Sequence, residues 1–192
     1  GIYCWESHAE ILQKLIYNNS AVNYGGGISF QYSSFPRVYN NTICNNFANN
    51  GGGGLNFKWY GSPSYPILLN NIIYFNSGDQ INYELQPPPR TDFCAIQDGN
   101  NTGNGNGYGI ITLNPKIIHP TDSIGIMNNI GQHDWSLKKG SPCINRGDTN
   151  FNNLIPEYDF AGNPRIYKNR IDIGAYEYSG IFPGEEPGNE AV

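Results

Sequence analysis

The chain has 192 residues, with 24 Gly, 13 Pro, 14 Tyr and 28 Asn, and only 14% of residues are charged. It is poor in helix formers and rich in turn formers, yet its 38% hydrophobic and 14% aromatic content is too high for a disordered segment. A formal net charge of −5 without a basic patch argues against nucleic acid and anionic membranes as partners, and no apolar run approaches the roughly 18 residues of a membrane span.

The first element is a glycine run that returns. Tyr24-Gly25-Gly26-Gly27-Ile28-Ser29-Phe30 recurs as Asn50-Gly51-Gly52-Gly53-Gly54-Leu55-Asn56-Phe57, 27 residues on. Upstream, Leu15-Ile16-Tyr17-Asn18-Asn19 matches Thr42-Ile43-Cys44-Asn45-Asn46, and Asn70-Asn71-Ile72-Ile73-Tyr74 is a third copy at a spacing of 30. A period of this length signals a solenoid. Gly1-Ile2-Tyr3-Cys4 reads as the end of an earlier glycine run, so the chain is expected to be a piece of something longer.

Each repeat predicts a strand after the glycines, a turn, a second strand (Arg37 to Tyr39; Ile67 to Leu69), an Asn-Asn corner and a third strand around Ile16, Ile43 and Ile73. Alternation sends Ile2, Cys4, Ile28, Phe30, Leu55 and Phe57 inward, and Tyr3, Trp5, Ser29, Gln31, Asn56 and Lys58 outward. Three strands and three corners per turn define an all-β parallel β-helix. Coils stacked about 4.8 Å apart pair their backbones, aligned Asn side chains form amide ladders, and glycines supply positive φ at tight corners. The expected organisation is coils over 1–130, a C-terminal capping region over 131–179 that covers exposed strand edges, and a linker over 180–192.

The second half carries distinctive motifs: Phe93-Cys94-Ala95-Ile96-Gln97-Asp98-Gly99, His133-Asp134-Trp135-Ser136-Leu137, Gly140-Ser141-Pro142-Cys143-Ile144-Asn145-Arg146-Gly147-Asp148, Asp159-Phe160-Ala161-Gly162-Asn163-Pro164-Arg165 and Asp172-Ile173-Gly174-Ala175-Tyr176-Glu177-Tyr178. The coils resemble the right-handed parallel β-helix repeats of secreted, pectate-lyase-like bacterial proteins. The terminal block resembles that of the choice-of-anchor proteins, which are exported from bacteria. The resemblance implies a right-handed helix and an extracellular or cell-surface location; it implies no activity.

Catalysis on such a coil needs ranked carboxylates or a carboxylate set with a Lys or Arg base. Residues 1–90 hold only Glu6, Glu10, Asp79 and Glu84 as acids, and these do not recur at coil spacing. The expected role is therefore a non-catalytic spacer, adhesin or glycan-binding module. The alternatives are the C-terminal part of a polysaccharide lyase or glycoside hydrolase, and a self-assembling extracellular structural protein. Trp5, Tyr32 and Trp59, with Tyr60 beside them, step at 27 and form a candidate sugar-stacking platform, although Trp5 is one position out of register. A polysaccharide or cell-surface glycan and homotypic assembly are the partners this allows. Asp148, Asp159 and Asp172 offer hard oxygen ligands for calcium; the favoured alternative is that they cap turns and pair with Arg146, Arg165 or Arg170. Cysteines 4, 44, 94 and 143 lack zinc-ligand spacing. Cys94–Cys143 is the favoured disulfide, set against four buried thiols. His8, His119 and His133 are expected as surface or turn residues.

Overall fold

The computed structural model describes residues 1–32, 35–58, 65–84, 88–97, 99, 107–126, 132–150 and 155–180. Trp59, Tyr60 and the segment 181–192 lie outside them. The strands stack as a parallel β-solenoid of about three turns. The first coil is β1 (Ile2–Trp5), β2 (Glu10–Leu12), β3 (Leu15–Tyr17) and β4 (Ser20–Ala21). The second is β5 (Ile28–Gln31), β6 (Arg37–Tyr39), β7 (Thr42–Cys44) and β8 (Phe47–Ala48). The third is β9 (Leu55–Lys58), β10 (Ile67–Leu69) and β11 (Ile72–Tyr74), followed by β12 (Ile81–Tyr83), β13 (Arg90–Asp92) and β14 (Ala95–Ile96). They form three four-stranded parallel sheets, β1-β5-β9-β12, β2-β6-β10-β13 and β3-β7-β11-β14, and a narrow β4–β8 pair that the three-strand reading lacked.

The pleat puts like on like down the axis. Ile28 pairs with Leu55, Val38 with Leu68 and Ile43 with Ile73 in register, and all six are fully buried. Phe30 stacks on Phe57 with centroids 5.2 Å apart and planes 7° from parallel. Each such side chain contributes about 1.5–3 kcal/mol by leaving water, which one coil alone does not provide.

The Asn-Asn corners divide their labour. The first Asn takes the left-handed bend, with φ of 55° at Asn40, Asn45 and Asn70, a conformation that Asn tolerates better than other side-chain-bearing residues. The second turns inward and forms the ladder. Asn41 Nδ2 donates to Asn71 Oδ1 at 2.9 Å, and Asn19 Nδ2 to Asn46 Oδ1 and Asn46 Nδ2 to Asn76 Oδ1 at 2.9 Å each. Cys94 continues the first ladder, its sulfur 3.4 Å from the Asn71 amide.

The glycine runs serve mainly close approach. Gly25, Gly51 and Gly52 have positive φ, but a Cβ on Gly27 would stand 2.6 Å from Gly54 O, and one on Gly54 would stand 2.6 Å from Gln80 O. Ser29 and Asn56 do sit on the outer side of the first sheet, yet they are buried, because Gly25 and Gly52 bring the backbone down over them. There Asn56 Nδ2 donates to Ser29 Oγ and Asn82 Nδ2 to Asn56 Oδ1, making a third ladder.

After β14 the chain adds one more partial rung, with Ile96 N donating to Ile111 O and Ile111 N to Cys94 O. It then turns back along the stack. β15 (Ile117–His119) and β16 (Asp134–Leu137) pair antiparallel, and Ile117, Trp135, Leu137, Cys143 and Ile173 pack over Cys44, Ile72, Tyr74 and Ala95. The C-terminal region thus closes the flank of the third sheet. It reaches as far as the first two coils: Tyr17 packs on Trp135, Asn18 donates to Ser123 O, and Ala175 N donates to Thr42 Oγ1.

Candidate functional site

The side chains that the sequence singled out fall in three places. Trp5 and Tyr32 do meet, with ring centroids 3.9 Å apart. Trp5 pairs in register with Gln31, so its ring reaches Tyr32 diagonally, as the one-position offset requires. Tyr3 lies beside Trp5 and donates its hydroxyl to Gln31 Oε1. Tyr3 and Trp5 are 59% and 49% exposed. Trp59 and Tyr60 fall outside the described residues.

The three aspartates do not converge. Asp148 accepts from Asn150 N and Nδ2, while its own amide and carbonyl hold the Asn70 side chain. Asp159 and Asp172 are buried around Arg165, which is fully buried. Asp159 accepts from Ala161 N, Asn163 N, Asn163 Nδ2 and Glu177 N. Asp172 accepts from Asn145 N and Tyr178 N. Arg165 Nη2 donates to the carbonyls of Asp172 and Gly174. Its Nη1 lies 3.2 Å from Glu177 Oε1, an ion contact without hydrogen-bond alignment. Burial pushes Glu177 up to about 8, against the pull of Arg165 and with Asp172 adding to the rise. Burial also raises Asp172, opposed by its amide donors and by Arg165, and lowers Arg165. The carboxylate oxygens are thus engaged by N–H groups in a lock that closes the C-terminal cover. No trio of His, Cys, Asp or Glu able to hold a metal is present among the described residues.

The Cys94–Cys143 disulfide is not formed; all four cysteines are buried free thiols. Cys94 is committed to the Asn71 ladder and donates to Asp92 O. Burial pushes both thiols up to about 12 and Cys44 higher still.

A further constellation escaped the sequence reading. His8, Phe35 and Tyr65 form successive rungs beside the second sheet, with centroids 5.1 Å and 6.1 Å apart. Phe35 N donates to His8 Nδ1. Phe35 and Tyr65 are 43% and 57% exposed. Each precedes a buried proline, Pro36 or Pro66, which fixes its own φ and holds the residue before it extended. Beside the rings, Arg37 Nη1 meets Glu10 Oε1 at 3.1 Å, with both side chains about half exposed. With Ile67 these residues line an open groove of ≈ 560 Å³. The signal was present, since His8 to Phe35 spans 27 residues and Phe35 to Tyr65 spans 30, the spacings of the Asn ladders. His119 and His133 stack at 5.8 Å across β15–β16.

Fold and surface together define a parallel β-solenoid with a covered flank and an aromatic, charge-paired flank. No protein-family model, curated protein or solved structure matches the chain.

Proposed function

We propose that this chain is a non-catalytic β-solenoid segment of an exported protein and that it contacts carbohydrate through its aromatic flank. The observation carrying this reading is the set of surface rings on successive coils: exposed Trp5 against half-buried Tyr32, and exposed His8, Phe35 and Tyr65 beside the second sheet. Ring faces flanked by hydrogen-bonding side chains suit a sugar, which has an apolar face and a polar rim. Export and kinship with pectate-lyase-like and choice-of-anchor proteins rest on the resemblance of the coils and of the terminal motifs alone.

The pairing of three coil acids weighs against glycoside hydrolysis. Glu10 meets Arg37, Glu84 meets Lys58 and Asp92 meets Arg90. Each faces a base instead of the second carboxylate that glycoside hydrolysis requires. The test is a panel of neutral and acidic polysaccharides, with and without calcium, followed for binding and for release of reducing or unsaturated ends. Binding without turnover, abolished in a Trp5→Ala/Tyr65→Ala double variant, is the expected result. Product release would overturn the non-catalytic reading, and silence across the panel would overturn glycan contact.

A further inference from the structure

We infer that the groove of His8, Phe35 and Tyr65 over Glu10, Arg37 and Ile67 is the binding site of an uncharged glycan lying along the solenoid axis. The inference rests on the carbohydrate reading above and narrows it to one site and one ligand class.

Charge selects the class. Arg37 and Glu10 are 3.1 Å apart and cancel, so the groove floor offers guanidinium donors and carboxylate acceptors side by side without a net charge. A sugar hydroxyl both donates and accepts, and uses such a pair from either side. An acidic sugar would have to displace Glu10 from Arg37 and approach a chain of net charge −5. An exposed pair of this kind adds little to folding, so it is free to serve a ligand.

Backbone geometry excludes the main competing occupant. An extended peptide binds a sheet by adding a strand to a free edge. Over the groove β6 and β10, which carry Arg37 and Ile67, are each hydrogen-bonded to a strand on both sides, and a peptide added to the groove's free edge, on β2, would extend the stack instead of crossing the rings. The ligand is therefore recognised by side chains alone, through ring faces and the charged pair. The rungs repeat with the coil, about 4.8 Å, which is near the length of one sugar unit, so a linear glycan can present successive units to successive rings. Pro36 and Pro66 set the backbone of the ring-bearing residues beforehand, which reduces the ordering cost of binding.

The experiment is calorimetric titration of the whole chain with β-1,4-linked glucose, xylose and mannose hexasaccharides and with hexagalacturonate. A neutral hexasaccharide is expected to bind at least tenfold more tightly than hexagalacturonate, with an affinity that hardly changes between low and high salt. Tyr65→Ala and Glu10→Gln are each expected to weaken it about tenfold, and Tyr167→Ala, at an exposed ring elsewhere, to leave it unchanged. Tighter binding of the acidic sugar would overturn the neutral class. Binding lost more in Trp5→Ala than in Tyr65→Ala would overturn this site and leave the broader carbohydrate reading standing on the Trp5–Tyr32 pair. No binding by any sugar, with thermal unfolding unchanged, would overturn both.

Discussion

Replacing Asn46 by Ala tests the amide ladder most directly. Asn46 is fully buried. Its Nδ2 donates to Ile16 O at 2.9 Å, Cys44 O at 3.1 Å and Asn76 Oδ1 at 2.9 Å, and its Oδ1 accepts from Asn19 N at 3.0 Å and Asn19 Nδ2 at 2.9 Å. Asn46→Ala removes all five bonds. Asn76 Oδ1 keeps the Asn46 backbone amide at 2.9 Å, so the loss falls on the Asn19 amide and the two carbonyls. At about 1–3 kcal/mol for each buried group left short, with carbonyls at the low end because they have a second lone pair, the cost is about 3–5 kcal/mol. That is a large part of the roughly 5–15 kcal/mol of an ordinary domain. The control is Asn50→Ala, whose rung to Asn23 is exposed and 3.3 Å long; it should cost under about 0.5 kcal/mol. Urea unfolding followed by tryptophan fluorescence and far-UV circular dichroism gives both numbers from the midpoints at constant slope. If the two variants fall within about 1 kcal/mol of each other, the buried ladder does not hold the coils together.

Gly54→Ala places a Cβ 2.6 Å from a backbone carbonyl and 2.9 Å from Asn76 Nδ2, and is expected to cost about 1–3 kcal/mol in the same urea assay; an unchanged midpoint would remove the close-approach account of the glycine runs. Arg165→Met strips the partner from Glu177 and from the carbonyls of Asp172 and Gly174, at about 3–5 kcal/mol above pH 8, where Glu177 is ionised, and a midpoint shift there below about 1 kcal/mol would contradict the lock. Glu177 rises in the fold from 4.5 to about 8, so the folded state holds a proton that the unfolded state has released. Its contribution is complete below pH 4.5 and is lost as pH climbs to about 8, so stability should fall across that window, and Glu177→Gln should flatten the fall; stability rising with pH through Glu177 would reverse the argument. Because Cys4, Cys44, Cys94 and Cys143 are buried free thiols, a thiol reagent should titrate none quickly in the native chain and four in denaturant; two fewer in denaturant would restore the disulfide.

Much of the coil register was legible because Asn, Gly and Ile recur at 27 and 30 residues, and a parallel ladder converts a constant spacing directly into contact. The two members of an Asn-Asn pair were not distinguishable on that basis. Asn40 and Asn41 are the same residue type, and only the backbone reveals that one bends at φ 55° while the other donates inward. The aromatic groove is equally regular in spacing but changes residue type at every rung, from His8 to Phe35 to Tyr65, so no repeated identity marks it in the sequence. The convergence of Asp159, Asp172 and Glu177 on Arg165 depends on turns in a region with no period, where separation along the chain does not report distance.

The two flanks show how one backbone design reaches two ends. In the third sheet the outward positions of β7 and β11 are Cys44, Ile72 and Tyr74 with one polar member, Thr42, and both strands are buried on both faces, as expected of a covered parallel sheet. Leaving them bare would expose a continuous apolar strip, and Trp135, Leu137 and Ile173 remove it from water. In the second sheet one outward column is Glu10, Arg37, Ile67 and Arg90, while the other, Leu12, Tyr39, Leu69 and Asp92, has Tyr39 and Leu69 buried. The first column, one acid, two arginines and one isoleucine, gains little from being covered, and it stays open beside His8, Phe35 and Tyr65. The composition of each outward column therefore helps decide which part of the surface the chain folds back upon and which part it leaves open. Replacing Glu10 and Arg37 together by leucine should turn the open face into an apolar one, and sedimentation should then show association of the chain through it; a variant that stays monomeric would mean that rung composition alone does not govern the choice.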